Sequence, residues 1–155
     1  MSTTISSVSQ AGLFLFRRLS ANAVEFLLLQ TNDVTPSARY WVPPKGCLKT
    51  DECPIEGALR ITEKLTGLTR CDIDTYKKYK YMVRYNHGLE WNDIEYYLAH
   101  VHNNNKEIET SRCHCDHKWM NLACACNNMK YIQLKHMAKC YQEIITNNKL
   151  GSYTI

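Results

Sequence analysis

Six cysteine and histidine residues are concentrated in the segment CHCDHKWMNLACAC, residues 113–126. Thiolates and imidazoles are the usual ligands of tetrahedral Zn²⁺ sites. However, the spacing matches no common zinc module, and the second Cys-x-Cys pair lies where a helix is expected to begin, so its side chains would diverge. We interpret these cysteines as free thiols and keep a structural zinc site as the alternative. The candidate ligands are Cys113, His114, Cys115, His117, Cys124 and Cys126.

A second chemical pattern is the alternation of aromatic and basic residues in YKKYKYMVRYNH, residues 76–87. Stacking rings and phosphate-binding cations are what single-stranded nucleic acids require. On a β-strand, successive side chains point to opposite faces. The tyrosines at 79, 81 and 85 would therefore lie on one face and the cations at 78, 80 and 84 on the other. This arrangement is typical of a half-buried strand, and we do not expect nucleic acid to be the ligand.

The composition predicts one globular domain. The chain has 155 residues, of which 45% are hydrophobic and 22% charged, with a formal net charge of +4. No apolar run approaches the roughly 20 residues of a membrane-spanning helix. The first ten residues, MSTTISSVSQ, lack the basic start of a secretory signal. We therefore expect an intracellular protein, cytoplasmic or nuclear, whose eight cysteines are mostly free thiols.

Alternating apolar and polar stretches predict an α/β (α+β) domain over residues 11–146, between a flexible N-terminus, 1–10, and a tail, 147–155. The apolar runs 11–18 and 24–30 indicate a β-hairpin whose second strand is buried on both faces. Two further strands are expected between Tyr76 and Val101, around NHGLEWND, and a short one at 117–121.

Two helices complete the predicted domain. Pro54 suits a first helical turn, with Cys53 or Asp51 near the cap, and Gly67 suits the C-terminal stop. Residues 129–146 predict an amphipathic helix. Its inward residues would be Met137, Cys140, Tyr141, Ile144 and Ile145.

The segment WVPPKGCLKTDECPIEGALRITEKLTGL, residues 41–68, resembles the Nudix box. Its matching positions are Gly46, Glu52, Arg60, Gly67 and Leu68. Together with AGLFLFRR, EFLLLQ and IEYYLAHV in the same order, it makes residues 11–146 similar to the asymmetrical diadenosine tetraphosphate hydrolases of animals. The resemblance implies a Nudix fold, a single domain with a mixed sheet between helices, and a brace between Glu52 and Arg60.

The family's acidic positions are occupied by other residues in this chain. The resemblance implies carboxylates, as metal ligands and general-base candidates, where Ile61, Lys64, Leu65 and Cys113 stand, and a histidine where Cys47 stands. Polyphosphate hydrolysis needs Mg²⁺ to neutralise phosphate charge and activate water, and Mg²⁺ needs oxygen ligands. We therefore expect no catalytic residues, no metal and no cofactor, unless an unusual ligand set holds Mg²⁺.

Nearby carboxylates are not placed to replace those ligands. With about 100° per residue, positions 61, 64 and 65 lie at roughly 0°, 300° and 40° around the helix. Glu63 falls at about 200° and Glu56 at about 220°, on nearly the opposite side. The metal site of the family is therefore expected to be lost.

Three uses of the altered helix face remain open. Ile61 and Leu65 form an i, i+4 apolar pair, which predicts either burial in an enlarged core or an exposed groove for a protein partner. Lys64 could instead attract phosphate as a point charge. In that case the chain would bind an adenine nucleotide without metal. The candidate contacts are Lys45, Gly46, Lys64, Tyr85 and Tyr96, of which Tyr85 aligns with a family tyrosine that stacks on adenine.

The sequence thus predicts a Nudix-fold pseudoenzyme that acts by binding an adenine nucleotide or a protein. The alternative is an active, metal-dependent hydrolase that cleaves dinucleoside polyphosphates to ATP and AMP with atypical ligands.

Overall fold

A computed structural model describes residues 9–21, 23–31, 39–87, 90–110 and 114–153, with all their side chains except those of 85–87, 90–92, 114 and 115. Residues 1–8 of the predicted flexible N-terminus, 1–10, and Cys113 lie outside the described residues. The strands are β1 (Gln10–Ser20), β2 (Ala23–Thr31), β3 (Trp41–Val42), β4 (Lys45–Cys47), β5 (Ile73–His87), β6 (Glu90–Val101) and β7 (His114–Met120). The helices are α1 (Pro54–Thr66), α2 (Leu122–Asn128) and α3 (Ile132–Thr146).

These strands form one mixed sheet in the order β3-β2-β1-β6-β5, with β4 paired to β1 and β7 paired to β2. β1 and β6 are parallel, and the other pairs are antiparallel. The predicted hairpin of the first two strands is confirmed, and so is the pair β5–β6, which is longer than the sequence suggested.

The central strands are buried on both faces because helices cover both sides of the sheet. Odd-numbered residues of β1 pack towards α1, in a core that contains Leu13, Leu15, Leu27, Ala58 and Leu59. Even-numbered residues pack towards α2 and α3, in a core that contains Phe14, Phe16, Phe26, Met137 and Tyr141. The near-continuous apolar runs of β1 and β2 follow from this double burial.

Helix α1 begins and ends where its sequence predicts. Pro54 occupies the first turn after Cys53, the N-cap residue, whose side chain makes no capping hydrogen bond. Gly67 ends the helix in the left-handed region, at φ 80°, where a residue without Cβ is unstrained.

The C-terminal helical region differs from the prediction. The expected helix 129–146 begins only at Ile132, as α3. A separate helix, α2, ends at Asn128, and residues 129–131 form a break between the two helices. Cys140, predicted to face inward, is exposed, because the buried stripe of α3 consists of Leu134, Met137, Ala138, Tyr141 and Ile145. In the described part of the chain, no helix is long and apolar enough to span a bilayer.

Candidate functional site: two faces of strand β4

On the α1 side of the sheet, two of the helix positions where the resemblance implies carboxylates form an apolar cluster with β2. Ile61 and Leu65 are 4% and 5% exposed and pack together with the fully buried Leu29. Ile61 also packs closely against β4, because a Cβ added to Gly46 would lie 3.1 Å from Ile61 Cγ2. The predicted alternative of an exposed groove for a protein partner is therefore wrong, because Leu29 already covers the Ile61/Leu65 pair.

Three charged residues of α1, Glu56, Glu63 and Lys64, are exposed and are not buried with this apolar cluster. Lys64, which helical angles placed on the same side of α1 as Ile61 and Leu65, is exposed. It lies at the edge of that side, where its ammonium can reach water. Glu63 is exposed as well, and Glu56 forms an ion pair with Arg70 on the outer surface.

These residues do not fit Mg²⁺. The apolar cluster offers only hydrocarbon groups, and Ile61 packs directly against Gly46 of β4. The charged group next to it on α1 is the ammonium of Lys64, which would repel a cation. A hard divalent cation needs several oxygen ligands at octahedral positions. Among the described residues, no group of three or more His, Cys, Asp or Glu side chains is placed to hold a metal ion.

The Glu52–Arg60 brace that the resemblance implies is present. Arg60 Nε and Nη2 donate to the two carboxylate oxygens of Glu52 at 2.8 and 2.9 Å, and the Lys49 backbone N–H donates at 2.9 Å. Hydrogen bonding by Arg60 and then by Lys49 lowers the pKa of Glu52 to about 2. Arg60 also donates to the Cys47 carbonyl at 3.1 Å. This carboxylate therefore fixes the loop before α1 and is fully engaged there.

On the opposite face of β4, a group of rings and ammonium groups forms what we call the aromatic–lysine cluster: Tyr40, Lys45, Tyr96, Lys130 and Tyr131. Tyr40 and Tyr131 meet edge to face, with ring centroids 5.8 Å apart at 88°. The Lys130 Nζ lies 5.3 Å from the Tyr40 centroid and 5.6 Å from the Tyr131 centroid. Such cation–ring pairs are stabilised by the quadrupole of the ring.

Backbone contacts bring the two halves of the cluster together. Residue 40 is fixed to β2, because the Thr31 N–H donates to the Tyr40 carbonyl at 2.9 Å. A parallel bridge between Trp41 and Met129 joins β3 to the break between α2 and α3. The break between α2 and α3 therefore places Lys130 and Tyr131 beside β3, at the edge of the sheet.

Lys45 and Tyr96 form the inner part of the cluster. Tyr96 is 1% exposed, and Lys45 is half-buried with its ammonium donating to Gln10 Oε1 at 3.2 Å. Burial lowers the pKa of Lys45, partly opposed by the neighbouring Cys47 and Tyr131. The cavity beside them has a free volume of about 10 Å³, which is enough for one water at most. Its lining residues are Tyr40, Val42, Lys45, Val83, Ile94, Tyr96, Tyr131 and Leu134.

The structure separates the residues predicted to contact a nucleotide. Lys45 and Tyr96 line one cavity. Gly46 faces Ile61 across the strand, and Lys64 is exposed on α1. Tyr85 has its backbone in β5, but its side chain lies outside the described residues.

Tyr40, Lys130 and Tyr131 were not predicted from the sequence. Tyr40 precedes the recognised segment, and the pair 130–131 fell inside a helix assumed to be continuous. The available signal was the adjacency of Lys130 and Tyr131 in the sequence, because a ring beside an ammonium group can contact both a base and a phosphate.

The cysteine- and histidine-rich segment is only partly described. The His117 Nδ1 is hydrogen-bonded to the Thr110 hydroxyl at 2.7 Å. Cys124 and Cys126 lie on α2, where the Asn128 amide donates to the Cys124 carbonyl at 2.7 Å. The side chains of residues 113–115 lie outside the described residues, so the zinc alternative stays a prediction.

The fold and the box segment together define the class of protein. The chain is 26% identical to a C. elegans Ap4A hydrolase solved as a binary complex, with a TM-score of 0.82 over 91% of this chain and 99% of that one. It also resembles a Nudix hydrolase from M. smegmatis in fold, with a TM-score of 0.72, 14% identity, and coverage of 95% and 89% of the two chains. This chain belongs to the Nudix superfamily.

Within that superfamily, the chain is similar in sequence to asymmetrical bis(5'-nucleosyl)-tetraphosphatases. The asymmetrical bis(5'-nucleosyl)-tetraphosphatase of Mus musculus is 31% identical over 129 residues, which cover 80% of this chain and 86% of the mouse protein. No family model matches the chain.

Proposed function

We propose that this chain binds an adenine nucleotide and does not hydrolyse it. The observation that carries the proposal is the apolar cluster of Leu29, Ile61 and Leu65, which is buried at the helix positions where the resemblance implies metal-binding carboxylates. Without oxygen ligands there, the bound phosphates have no metal to neutralise their developing charge or to activate water.

The binding half of the proposal is supported by the aromatic–lysine cluster. Tyr40 and Tyr131 offer ring surfaces to a planar base, and Lys45 and Lys130 offer ammonium groups to a phosphate. Base–aromatic stacking contributes about 1–3 kcal/mol per base. Because the free volume is about 10 Å³, the base must displace a side chain at the mouth of the cavity. We expect this to be Lys130, which is exposed and whose ammonium lies over both rings.

An active hydrolase of dinucleoside polyphosphates is the second candidate. It is favoured by the 31% identity to the mouse tetraphosphatase. This candidate requires Mg²⁺ ligands other than those that the box normally supplies.

Hydrolysis and binding of diadenosine tetraphosphate, measured on the same preparation, test the proposal. The full chain at high concentration, with Mg²⁺ or Mn²⁺, is compared with the variant Ile61→Glu, Lys64→Glu, Leu65→Glu, and products are separated by chromatography. Binding is measured by calorimetry. We expect binding without turnover in the unmodified chain.

Each outcome decides between the candidates. Turnover by the unmodified chain, above a preparation lacking the protein, overturns the proposal and supports the second candidate. Binding without turnover, together with turnover by a folded triple variant, supports an intact nucleotide site that lacks only metal. Absence of binding to diadenosine tetraphosphate, which contains two adenine nucleotides, contradicts the proposal.

A further inference from the structure

Strand β5 has one neighbour in the part of the sheet that the structure describes, namely β6. A strand in this position directs the backbone groups of alternate residues away from the sheet. Hydrogen bonds from α3 identify these residues. The Arg84 N–H donates to Gln133 Oε1 at 2.8 Å, and the Gln133 amide nitrogen donates to the Arg84 carbonyl. The backbone of Arg84 therefore points outward, and so do those of Met82 and Lys80, because β5 and β6 pair without a register shift over residues 80–87.

Side chains of α3 bond to backbone groups of β5 at two separate points. The amide of Gln133, in the first turn of α3, makes the two hydrogen bonds to Arg84 that the backbone of a neighbouring strand would make. Earlier along β5, the Tyr141 hydroxyl donates to the Tyr79 carbonyl at 2.7 Å. Arg84 and Tyr79 thus have side-chain partners in place of a strand.

The stretch between these two points is open. No described residue outside the β5–β6 pair makes a backbone hydrogen bond to Lys80 or Met82. Met82 is also 42% exposed, although its side chain is apolar. Unpaired backbone groups along an edge strand are a template for another strand. We call residues 80–84 the β5 edge.

The side chains of the β5 edge carry a definite charge pattern. Lys80, Met82 and Arg84 lie on one face, because side chains alternate along a strand. The Lys80 ammonium lies 3.8 Å from a carboxylate oxygen of Glu95, and Arg84 Nε lies 2.8 Å from Asp93, but the two cationic side chains stay 62% and 60% exposed. A guanidinium has five N–H donors, and Asp93 accepts from the Nε and Nη2 atoms only. A segment on this edge would therefore meet a cation, an apolar group and a second cation.

This charge pattern disfavours a second copy of the chain as the occupant. In an antiparallel pair of two β5 edges centred on Met82, Lys80 of each copy would lie opposite Arg84 of the other. Like charges directly opposite each other are destabilising, and each chain carries a formal net charge of +4. A segment in which two acidic residues flank an apolar one has the complementary pattern. Its carboxylates would face Lys80 and Arg84, and its apolar side chain would face Met82.

We propose that the β5 edge binds an extended acidic segment of a protein partner by strand addition, and that Gln133 releases Arg84 when the segment pairs. Main-chain hydrogen bonds supply affinity in this mode of recognition, and alternate side chains supply specificity. The inference goes beyond the proposed nucleotide binding and does not depend on it.

Titration of the full chain with a synthetic heptapeptide tests the inference. The probe is acetyl-Thr-Glu-Thr-Val-Thr-Glu-Thr-amide, and its control has Lys in place of both Glu residues. Binding is followed by heteronuclear NMR at low salt and millimolar peptide concentration. We expect the acidic peptide to bind about tenfold more tightly than the basic one, because opposite-charge pairs replace like-charge pairs. The acidic peptide should also slow the hydrogen exchange of the Met82 amide.

N-methylation of the peptide separates strand addition from simple charge attraction. In antiparallel pairing, the central Val of the peptide lies opposite Met82 and exchanges both hydrogen bonds with it, whereas the N–H groups of the adjacent Thr residues point away. N-methylation of Val should therefore weaken binding about tenfold, and N-methylation of the following Thr should weaken it by less than about threefold. Equal losses from the two modifications would overturn the proposal, because the peptide backbone then does not pair with β5.

The variant Gln133→Ala tests the release of Arg84. Without the side-chain amide, the Arg84 N–H and carbonyl are free to pair, so the affinity for the acidic peptide should rise about threefold. Gln142→Ala shortens the same type of side chain on α3 at a different surface, beside the β1–β2 hairpin. It is the matched control and should change the affinity by less than about twofold. Equal changes in the two variants, or weaker binding to Gln133→Ala, would overturn the role of Gln133.

Three other results would overturn the proposal. The first is equal affinity for the acidic and basic peptides, since the charges of Lys80 and Arg84 then select nothing. The second is an acidic peptide that does not bind. The third is a chain that sediments as a dimer and that Met82→Lys converts to a monomer, because the occupant of the β5 edge is then a second copy.

Discussion

The two faces of strand β4 carry opposite kinds of surface. On the α1 side, Leu29, Ile61 and Leu65 exclude water and contribute to the core. On the α3 side, Lys45 is half-buried beside tyrosine rings, and Lys130 is exposed over them. The first face resembles ordinary core packing, whereas the second keeps the ammonium group of Lys45 partly buried, which is energetically unfavourable. Burying part of an ammonium costs free energy, so the second face requires an explanation that the first does not.

The difference shows that the two halves of the proposed function, nucleotide binding and the absence of hydrolysis, concern different faces of the sheet. The residues that would hold a metal and those that would hold a base lie on different layers, with one strand between them. Substitutions on α1 can therefore convert carboxylates to core residues without disturbing the rings. Conversely, the rings alone cannot restore hydrolysis. The following predictions test whether the two faces are as independent as their geometry suggests.

Reintroducing carboxylates on the apolar face should have the largest effect. Ile61→Glu with Leu65→Glu places two acids at positions that are at most 5% exposed, and we expect a loss of about 4 kcal/mol or more in the free energy of unfolding. Urea denaturation measures it. Lys64→Glu, at the exposed position of the same turn, is the control and should change stability by less than about 0.5 kcal/mol.

Truncating the β2 member of the apolar cluster should have the next largest effect. Leu29→Ala removes a fully buried side chain and should cost about 2–4 kcal/mol of unfolding free energy through lost burial and a cavity. Nucleotide affinity, measured at a temperature where the variant is folded, should stay within about twofold. A parallel loss of affinity in the folded variant would show that the faces are coupled.

The elements of this fold are predictable because their signals are local. The signals are the apolar runs of β1 and β2, Pro54 at the start of α1 and Gly67 at its end, and each depends on a few neighbouring residues. The resemblance of residues 41–68 to the Nudix box then fixes where α1 must lie. Helical angles also placed Glu56 and Glu63 away from the stripe, as observed.

The candidate site was less predictable because it joins distant segments. Tyr40 and Tyr131 are neighbours only through the Trp41–Met129 bridge, and the break before α3 does not interrupt the apolar periodicity that suggested one helix. Whether Ile61 and Leu65 were buried depended on Leu29, which belongs to another element. Helical angles placed Lys64 on the same stripe as Ile61 and Leu65, but its side chain is exposed. A charged ammonium at the edge of a buried stripe extends to water.

A pair of glycine substitutions should sharpen the comparison by acting on one face at a time. A Cβ on Gly12 would lie 2.2 Å from the Pro44 carbonyl oxygen and 2.9 Å from Tyr96 Cε1. Gly12→Ala should therefore cost about 1–3 kcal/mol of unfolding free energy and weaken nucleotide binding, since backbone must shift beneath the cluster. The atoms nearest to a Cβ on Gly46 belong to the Ile61 side chain, at 3.1 Å or more, so Gly46→Ala should cost less unfolding free energy and leave nucleotide affinity unchanged. Equal effects on affinity would contradict the separation by β4.

The smallest effect concerns the Glu52–Arg60 brace, which borders the apolar face without belonging to it. The pKa of Glu52 falls from 4.5 to about 2 on folding, so the unfolded chain binds the proton first as the pH decreases. Its stabilising contribution is complete above pH 4.5 and is lost as the pH falls towards 2. Glu52→Gln should flatten the decrease of the melting temperature over that interval, and Arg60→Gln should flatten it similarly because the lowered pKa depends mainly on Arg60. If Glu52→Gln keeps the full slope, other carboxylates carry the acid dependence and the brace is not the group that ties the loop before α1 to the helix.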